Sequence, residues 1–207
     1  MKGFGNNNQS KKGKIYPLNN KKEDYQILNK AIKCQSEGNI VQAIKCYEFL
    51  IKKEFQESVV FANYGIILIN LGRLQEAEVS IRKAIELNPD YAEAFNNLGN
   101  AQKELLNFDE AVQSYQKAID LVPTYTDALC NLGICLSLQE NYEDAEVLYK
   151  KALALDPNQL ETLFYLADCY YGLGKYKEAR SLMLPYIKKN SSLNRAEVHN
   201  LIGKTAV

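Results

Sequence analysis

The chain contains no tryptophan, a single histidine and no excess charge of either sign. Its 25 Lys and Arg balance 25 Asp and Glu, so no net field draws it toward nucleic acid or an anionic membrane. No C-x-x-C occurs, and the five cysteines (Cys34, Cys46, Cys130, Cys135 and Cys169) are odd in number and mostly remote from His199. A disulfide framework or a zinc site is therefore not expected, and these residues read as buried thiols. No apolar run approaches the roughly 18–20 residues of a membrane span. The N-terminus lacks the apolar core of a signal peptide, and Lys2 stands where N-myristoylation needs glycine. P-loop, Gly-x-Ser-x-Gly and dinucleotide-binding patterns are all missing. The expectation is a cytoplasmic, non-enzymatic protein with no metal, cofactor, membrane or nucleic-acid partner.

What is present is order at long period. Residues 1–22 stand apart: Gly3, Gly5, Asn6, Asn7, Asn8 and Gly13 sit among Lys2, Lys11, Lys12, Lys14, Lys21 and Lys22. With little to bury, this segment is expected to be a disordered tail, either a solubilising leader or a basic arm. Beyond it, Ala43, Ala77, Ala111, Ala145 and Ala179 recur every 34 residues. Taking them as position 20 divides the chain into units 24–57, 58–91, 92–125, 126–159 and 160–193. Position 8 is then Ala31, Gly65, Gly99, Gly133 and Ala167. Position 24 is Tyr47, Ile81, Tyr115, Tyr149 and Met183, and position 32 is Phe55, Pro89, Pro123, Pro157 and Ser191.

Within each unit two apolar stripes appear at helical spacing, one at positions 4, 7, 8 and 11 and one at 17, 20, 24 and 27. A break near positions 14–16, such as Leu71-Gly72-Arg73, separates them. Two helices of about 14 residues, about 20 Å each, must fold back as a hairpin. Glycine inside a helix costs about 1 kcal/mol relative to alanine, so Gly65, Gly99 and Gly133 imply a close contact. The expected contact is with the small residue at position 20. Proline at position 32 is expected to end the second helix. Stacking of hairpins then buries what one hairpin leaves exposed.

At these columns the sequence resembles the tetratricopeptide repeat, with the third unit carrying Phe95, Leu98, Gly99, Ala111, Tyr115, Ala118 and Pro123. The resemblance covers residues 24–193. It implies an all-α, right-handed superhelical solenoid of five hairpins. It departs from the pattern at the ends, with Lys30, Leu50 and Phe55 in the first unit and Tyr186 and Pro185 in the last. Pro185 is expected to kink or break its helix. Residues 194–207 read either as a capping helix or as a truncated sixth repeat.

In this family the first helix of each hairpin lines a concave groove, which implies that positions 2, 5, 6, 9, 12 and 13 face it. Position 6 is Asn29, Asn63, Asn97 and Asn131, then Tyr165. An amide offers a donor and an acceptor, so a row of them suits the backbone of an extended peptide. This row resembles the asparagine ladder of O-linked N-acetylglucosamine transferases, and it is also common in the repeat family at large. The expected peptide-binding residues are these four asparagines with Ile66, Asn100, Ile134, Glu93 and Asp127. Positions 2, 5, 6 and 9 carry no Lys or Arg, which disfavours a carboxylate clamp. Glu93, Asp127 and Glu161 instead favour a polar or basic segment. A cluster of Tyr165, Tyr170, Tyr171 and Tyr176 reads as packing before it reads as a ligand platform.

The expected role is a protein–protein interaction module that binds a partner peptide in this groove. Two alternatives stay open at this level. One is a recognition arm of a larger glycosyl- or sulfotransferase-type enzyme. The other is self-association through the last repeat.

Overall fold

The computed structural model describes residues 18–189, with side chains from 21 to 185. Ten helices follow one another: α1 (Leu18–Ser36), α2 (Ile40–Lys52), α3 (Ser58–Asn70), α4 (Leu74–Leu87), α5 (Ala92–Glu104), α6 (Phe108–Leu121), α7 (Thr126–Leu138), α8 (Tyr142–Leu155), α9 (Leu160–Gly172) and α10 (Tyr176–Lys189). No strand occurs among the described residues. Most of the expected tail and all of the expected capping helix or sixth repeat lie outside the described residues. Helix α1 already begins at Leu18, inside the segment assigned to the tail.

Two compact units divide at Phe55. The first contains α1 and α2, which pack together as one hairpin. Its second helix is capped by Asn39, whose side chain accepts from the Gln42 N–H at 3.3 Å and so satisfies a free end-of-helix donor. At its other end Glu54 takes φ +59°, and the Phe55 N–H reaches back to the Leu50 carbonyl at 3.0 Å. Proline has no N–H to make that bond, which accounts for its absence at this position 32. Phe55 is buried edge-on against Tyr25, ring centres 5.2 Å apart. Lys53 donates to Asp24, which is wholly buried, at 2.7 Å.

The second unit contains α3–α10 as four hairpins, α3/α4, α5/α6, α7/α8 and α9/α10. Each second helix also packs on the first helix of the next hairpin, and α3, α5, α7 and α9 touch in succession. This is the expected stack of helical hairpins. Asn88, Val122 and Asp156 close α4, α6 and α8 in extended conformation, with ψ of 92°, 89° and 91°. Each precedes a proline, whose ring crowds a helical residue before it. Of the expected kink or break at Pro185, the break does not occur: α10 runs through to Lys189. Proline there deletes one N–H from the helical ladder.

The hairpin turns share one device. Position 15 is left-handed in every repeat: Gly38, Gly72, Leu106, Glu140 and Gly174 have φ of 76°, 71°, 63°, 61° and 70°. The next residue donates back to the end of the first helix, as from Arg73 to Leu68 and from Asn107 to Gln102, both at 2.9 Å. Glycine meets that φ without penalty. Leu106 does not, and its side chain is 72% exposed, so little burial offsets the strain.

The glycines at position 8 do make a close contact, but not mainly with position 20. A Cβ on Gly99 would lie 2.6 Å from Tyr115 Cε1, and one on Gly133 2.6 Å from Tyr149 Cε1; on Gly65 it would run into Ile81. The missing methyl makes room for the large residue at position 24. Ala77, Ala111 and Ala145 at position 20 are fully buried as well, without being what the glycines accommodate.

Two stability measurements follow. Leu106→Gly should raise the urea midpoint, corresponding to a gain of about 1 kcal/mol, because relief of a left-handed non-glycine outweighs the added freedom of the unfolded chain. Gly99→Ala should lower it by about 1 kcal/mol or more, since overpacking costs about 1–3 kcal/mol and helix propensity returns only about 1. Circular dichroism during urea unfolding reads both.

Candidate functional site

The sequence-predicted residues fall on the first helices. Asn29 is exposed on α1 in the first unit. In the second unit Asn63, Asn97 and Asn131 are half-buried on α3, α5 and α7, as are Ile66, Asn100 and Ile134 one turn further along. Glu93 and Asp127 are exposed at the helix starts. Among the described residues, no side chain or backbone group holds the amide of Asn63 or Asn97.

Position 5 is a correction. It was expected to face the groove, yet Leu28, Ala62, Asn96 and Cys130 are all buried there. For Asn96 and Cys130 the cause is the stack. A first helix meets its own partner, the preceding second helix and the neighbouring first helices, so its buried face is wider than one hairpin requires. Position 5 lies in the seam between consecutive first helices. There Asn131 Nδ2 donates to Asn96 Oδ1 at 3.0 Å, joining α7 to α5. Between α7 and α9, Cys130 Sγ lies 2.9 Å from Thr162 Oγ1, which donates to Gln159 Oε1 at 2.7 Å.

This seam opens into a hollow of about 270 Å³, lined by Asn96, Asn100, Asp127, Cys130, Asn131, Ile134, Gln159, Glu161, Thr162 and Tyr165. Four predicted residues meet here: Asn100, Asp127, Asn131 and Ile134. Asn63, Asn97, Ile66 and Glu93 lie outside its lining. Asn96, Cys130, Gln159 and Thr162 were not foreseen as site residues. For Asn96 a signal existed: a polar residue in a column otherwise filled by Leu28, Ala62, Cys130 and Phe164.

Buried phenols support the walls from beneath. Tyr115, in the room left by Gly99, donates from its OH to Asn100 Oδ1 at 2.8 Å. Tyr149, in the room left by Gly133, stacks on Tyr165 with ring centres 6.0 Å apart. Burial pushes both phenols well above their ordinary pKa, so each keeps its proton near neutrality. The other tyrosines of the suspected cluster are engaged elsewhere. Lys150 and Lys175 lie over the Tyr170 ring, and Tyr171 packs edge-on to Tyr176.

The rim is negative. Burial first, then Asp127 and Glu93, push Tyr125 up to about 12. Burial pushes up the Cys130 thiol, opposed by its Thr162 hydrogen bond and assisted by Asp127 and Glu161. None of Glu93, Asp127 and Glu161 is paired with a described residue. On the second helices, by contrast, Glu76, Glu78, Glu86 and Glu146 each meet a Lys or Arg. Among the described residues no group of three His, Cys, Asp or Glu is arranged to hold a metal, and no helix is long and apolar enough to cross a membrane.

Sequence models of the tetratricopeptide repeat match residues 65–105, 90–158 and 136–204. The chain belongs to the tetratricopeptide-repeat family. Such repeats mediate protein–protein interaction. Solved tetratricopeptide-repeat folds superimpose well: the MamA 41-end protein of Desulfovibrio magneticus RS-1, 20% identical with a TM-score of 0.73, covers 83% of this chain and 97% of its own. A thermophilic tetratricopeptide-repeat protein of Thermus thermophilus, 18% identical with a TM-score of 0.69, covers 89% and 100%. At these identities the likeness shows the fold alone. A curated relative, the Photosystem I assembly protein Ycf3 of Synechococcus sp. (strain CC9605), is 30% identical over 90 residues, 42% of this chain. The match spans about half the length of that relative, 52%.

The tetratricopeptide core also protects its thiols. All five cysteines are free and buried. Burial pushes Cys135 up and Cys169 to about 11, which leaves Cys169 about one part in a thousand thiolate at pH 8. The folded protein should therefore react with Ellman's reagent at pH 8 roughly a hundredfold slower than free cysteine. Five equivalents should be released once urea unfolds it. Fast release of one equivalent from the folded protein would show an accessible thiol.

Proposed function

We propose that this tetratricopeptide-repeat chain is a non-catalytic adaptor that binds an extended segment of a partner protein along the face made by its first helices. One observation carries the reading: Asn63, Asn97 and Asn131 recur once per repeat at a half-buried position of that face, and the first and second have no partner among the described residues. Their amide atoms are not sealed in the core, so they are open to an incoming group. A peptide backbone, alternating N–H and C=O, supplies the matching groups whatever its side chains. Asn29 holds the same position in the first unit, and Ile66 and Ile134 add apolar footholds beside the amides.

The assembly role printed in the name of the Ycf3 relative fits an adaptor. Free, buried cysteines fit a reducing compartment such as the cytoplasm.

The test is affinity capture from the native lysate, comparing the intact chain with Asn63→Ala/Asn97→Ala/Asn131→Ala. Each amide bond is worth about 0.5–1.5 kcal/mol, so the triple variant should lose roughly a hundredfold in affinity for captured partners while its helical signal stays. Equal capture of every partner by the two proteins would overturn the reading.

A further inference from the structure

We propose that the hollow between α5, α7 and α9 is a side-chain pocket that takes an arginine of the bound peptide. This rests on the peptide-binding reading above and adds what the asparagine row lacks, a preference for one residue type.

The hollow holds polar groups without partners. Asn96 and Asn131 share one hydrogen bond, which uses Asn131 Nδ2 and Asn96 Oδ1. Left over at the hollow are the Asn131 carbonyl oxygen, an acceptor, and the Asn96 amino group, a donor on a residue 5% exposed. Neither has a partner among the described residues. Asp127 and Glu161 enter from the first helices of consecutive hairpins, α7 and α9, at the same repeat position, and both lack a countercharge among the described residues. No Lys or Arg lines the space. The hollow therefore presents two carboxylates and a carbonyl to whatever enters, and the amino group of Asn96 is placed for a backbone carbonyl beside it.

The shape selects among cations. An ammonium is a compact point charge with three donors and no plane to lay on a ring. A guanidinium spreads five donors in a plane and stacks on aromatic faces. Tyr165 supplies the face: it lines the hollow, is 39% exposed, and is held from behind by stacking on buried Tyr149. Acceptors on opposite helices with a supported ring beside them suit the planar cation.

The experiment titrates the full chain with capped tripeptides Ac-Ala-Xaa-Ala-amide, where Xaa is Arg, Lys, Ala or Glu, followed by NMR of the Asn96 and Asn131 side-chain amides. The Arg peptide should bind about tenfold tighter than the Ala peptide, the Lys peptide should fall between them, and the Glu peptide should not bind. Asp127→Gln/Glu161→Gln, whose changed groups are exposed and bear no structural bond, should bring the Arg peptide down to the Ala level. Equal binding of Arg and Ala peptides, or an Arg preference that survives the double substitution, would overturn the proposal. Equal binding of Arg and Lys would overturn the arginine assignment. Asn63→Ala/Asn97→Ala lies outside the hollow and should leave the Arg preference intact. If that variant captures partners normally while the Arg preference holds, the ladder reading fails and the pocket stands.

Discussion

A ring pressed against a glycine holds the second unit in its arrangement. In α5/α6 and α7/α8 the Tyr115 and Tyr149 rings occupy the space that a Cβ on Gly99 or Gly133 would need. Both rings are essentially fully buried, and burial of so large an apolar surface is worth a few kcal/mol. Helix propensity alone would put alanine at position 8, gaining about 1 kcal/mol. Ring burial outweighs that gain, which is why the glycine recurs despite its local cost. Where position 24 is Ile81 the same contact is made with a smaller side chain against Gly65.

That contact reaches the surface through the phenol oxygens. A tyrosine ring held in the core has its hydroxyl at a fixed height, and there it meets a residue of the first helix: Asn100 for Tyr115 and Ser137 for Tyr149. Tyr47 does the same for Gln35 in the first unit. The core thus positions polar groups of the first helices directly. A weaker link joins the repeats, the polar seam of Asn96–Asn131 and Cys130–Thr162–Gln159. The bonded atoms of that seam satisfy one another, while the Asn96 amino group and the Asn131 carbonyl oxygen stay open at the hollow.

How much of this could be read from residues alone depended on how many neighbours each position has. The 34-residue period and its helical stripes pointed to stacked helical hairpins, since Ala43 through Ala179 repeat without slippage. The turns were legible in part: Gly38, Gly72 and Gly174 mark a left-handed position, and Leu106 and Glu140 occupy the same column with residues that hide it. The width of the buried face was not legible. A helical wheel for one hairpin assigns position 5 to the outside, because it knows nothing of the helix stacked alongside. Position 8 was recognised as a close approach but matched to the wrong partner, because two small residues suggest each other before a small one suggests a large one. The hollow was beyond reach for the same reason as position 5: its walls come from three consecutive repeats.

The division of labour along the first helix bears on how such a face would acquire a preference. Positions 8 and 5 are committed to rings and seams, so their substitution disturbs folding. In the third to fifth repeats position 2 carries no such duty: Glu93, Asp127 and Glu161 are exposed and bonded to nothing described. Charges there alter the field over the face at little cost to the fold, since exposed charges contribute at most about 1 kcal/mol to stability. On the proposed reading a row of amides at position 6 holds any backbone alike. Selectivity on this reading must come from residues free to change, and those are the unpaired carboxylates at the helix starts.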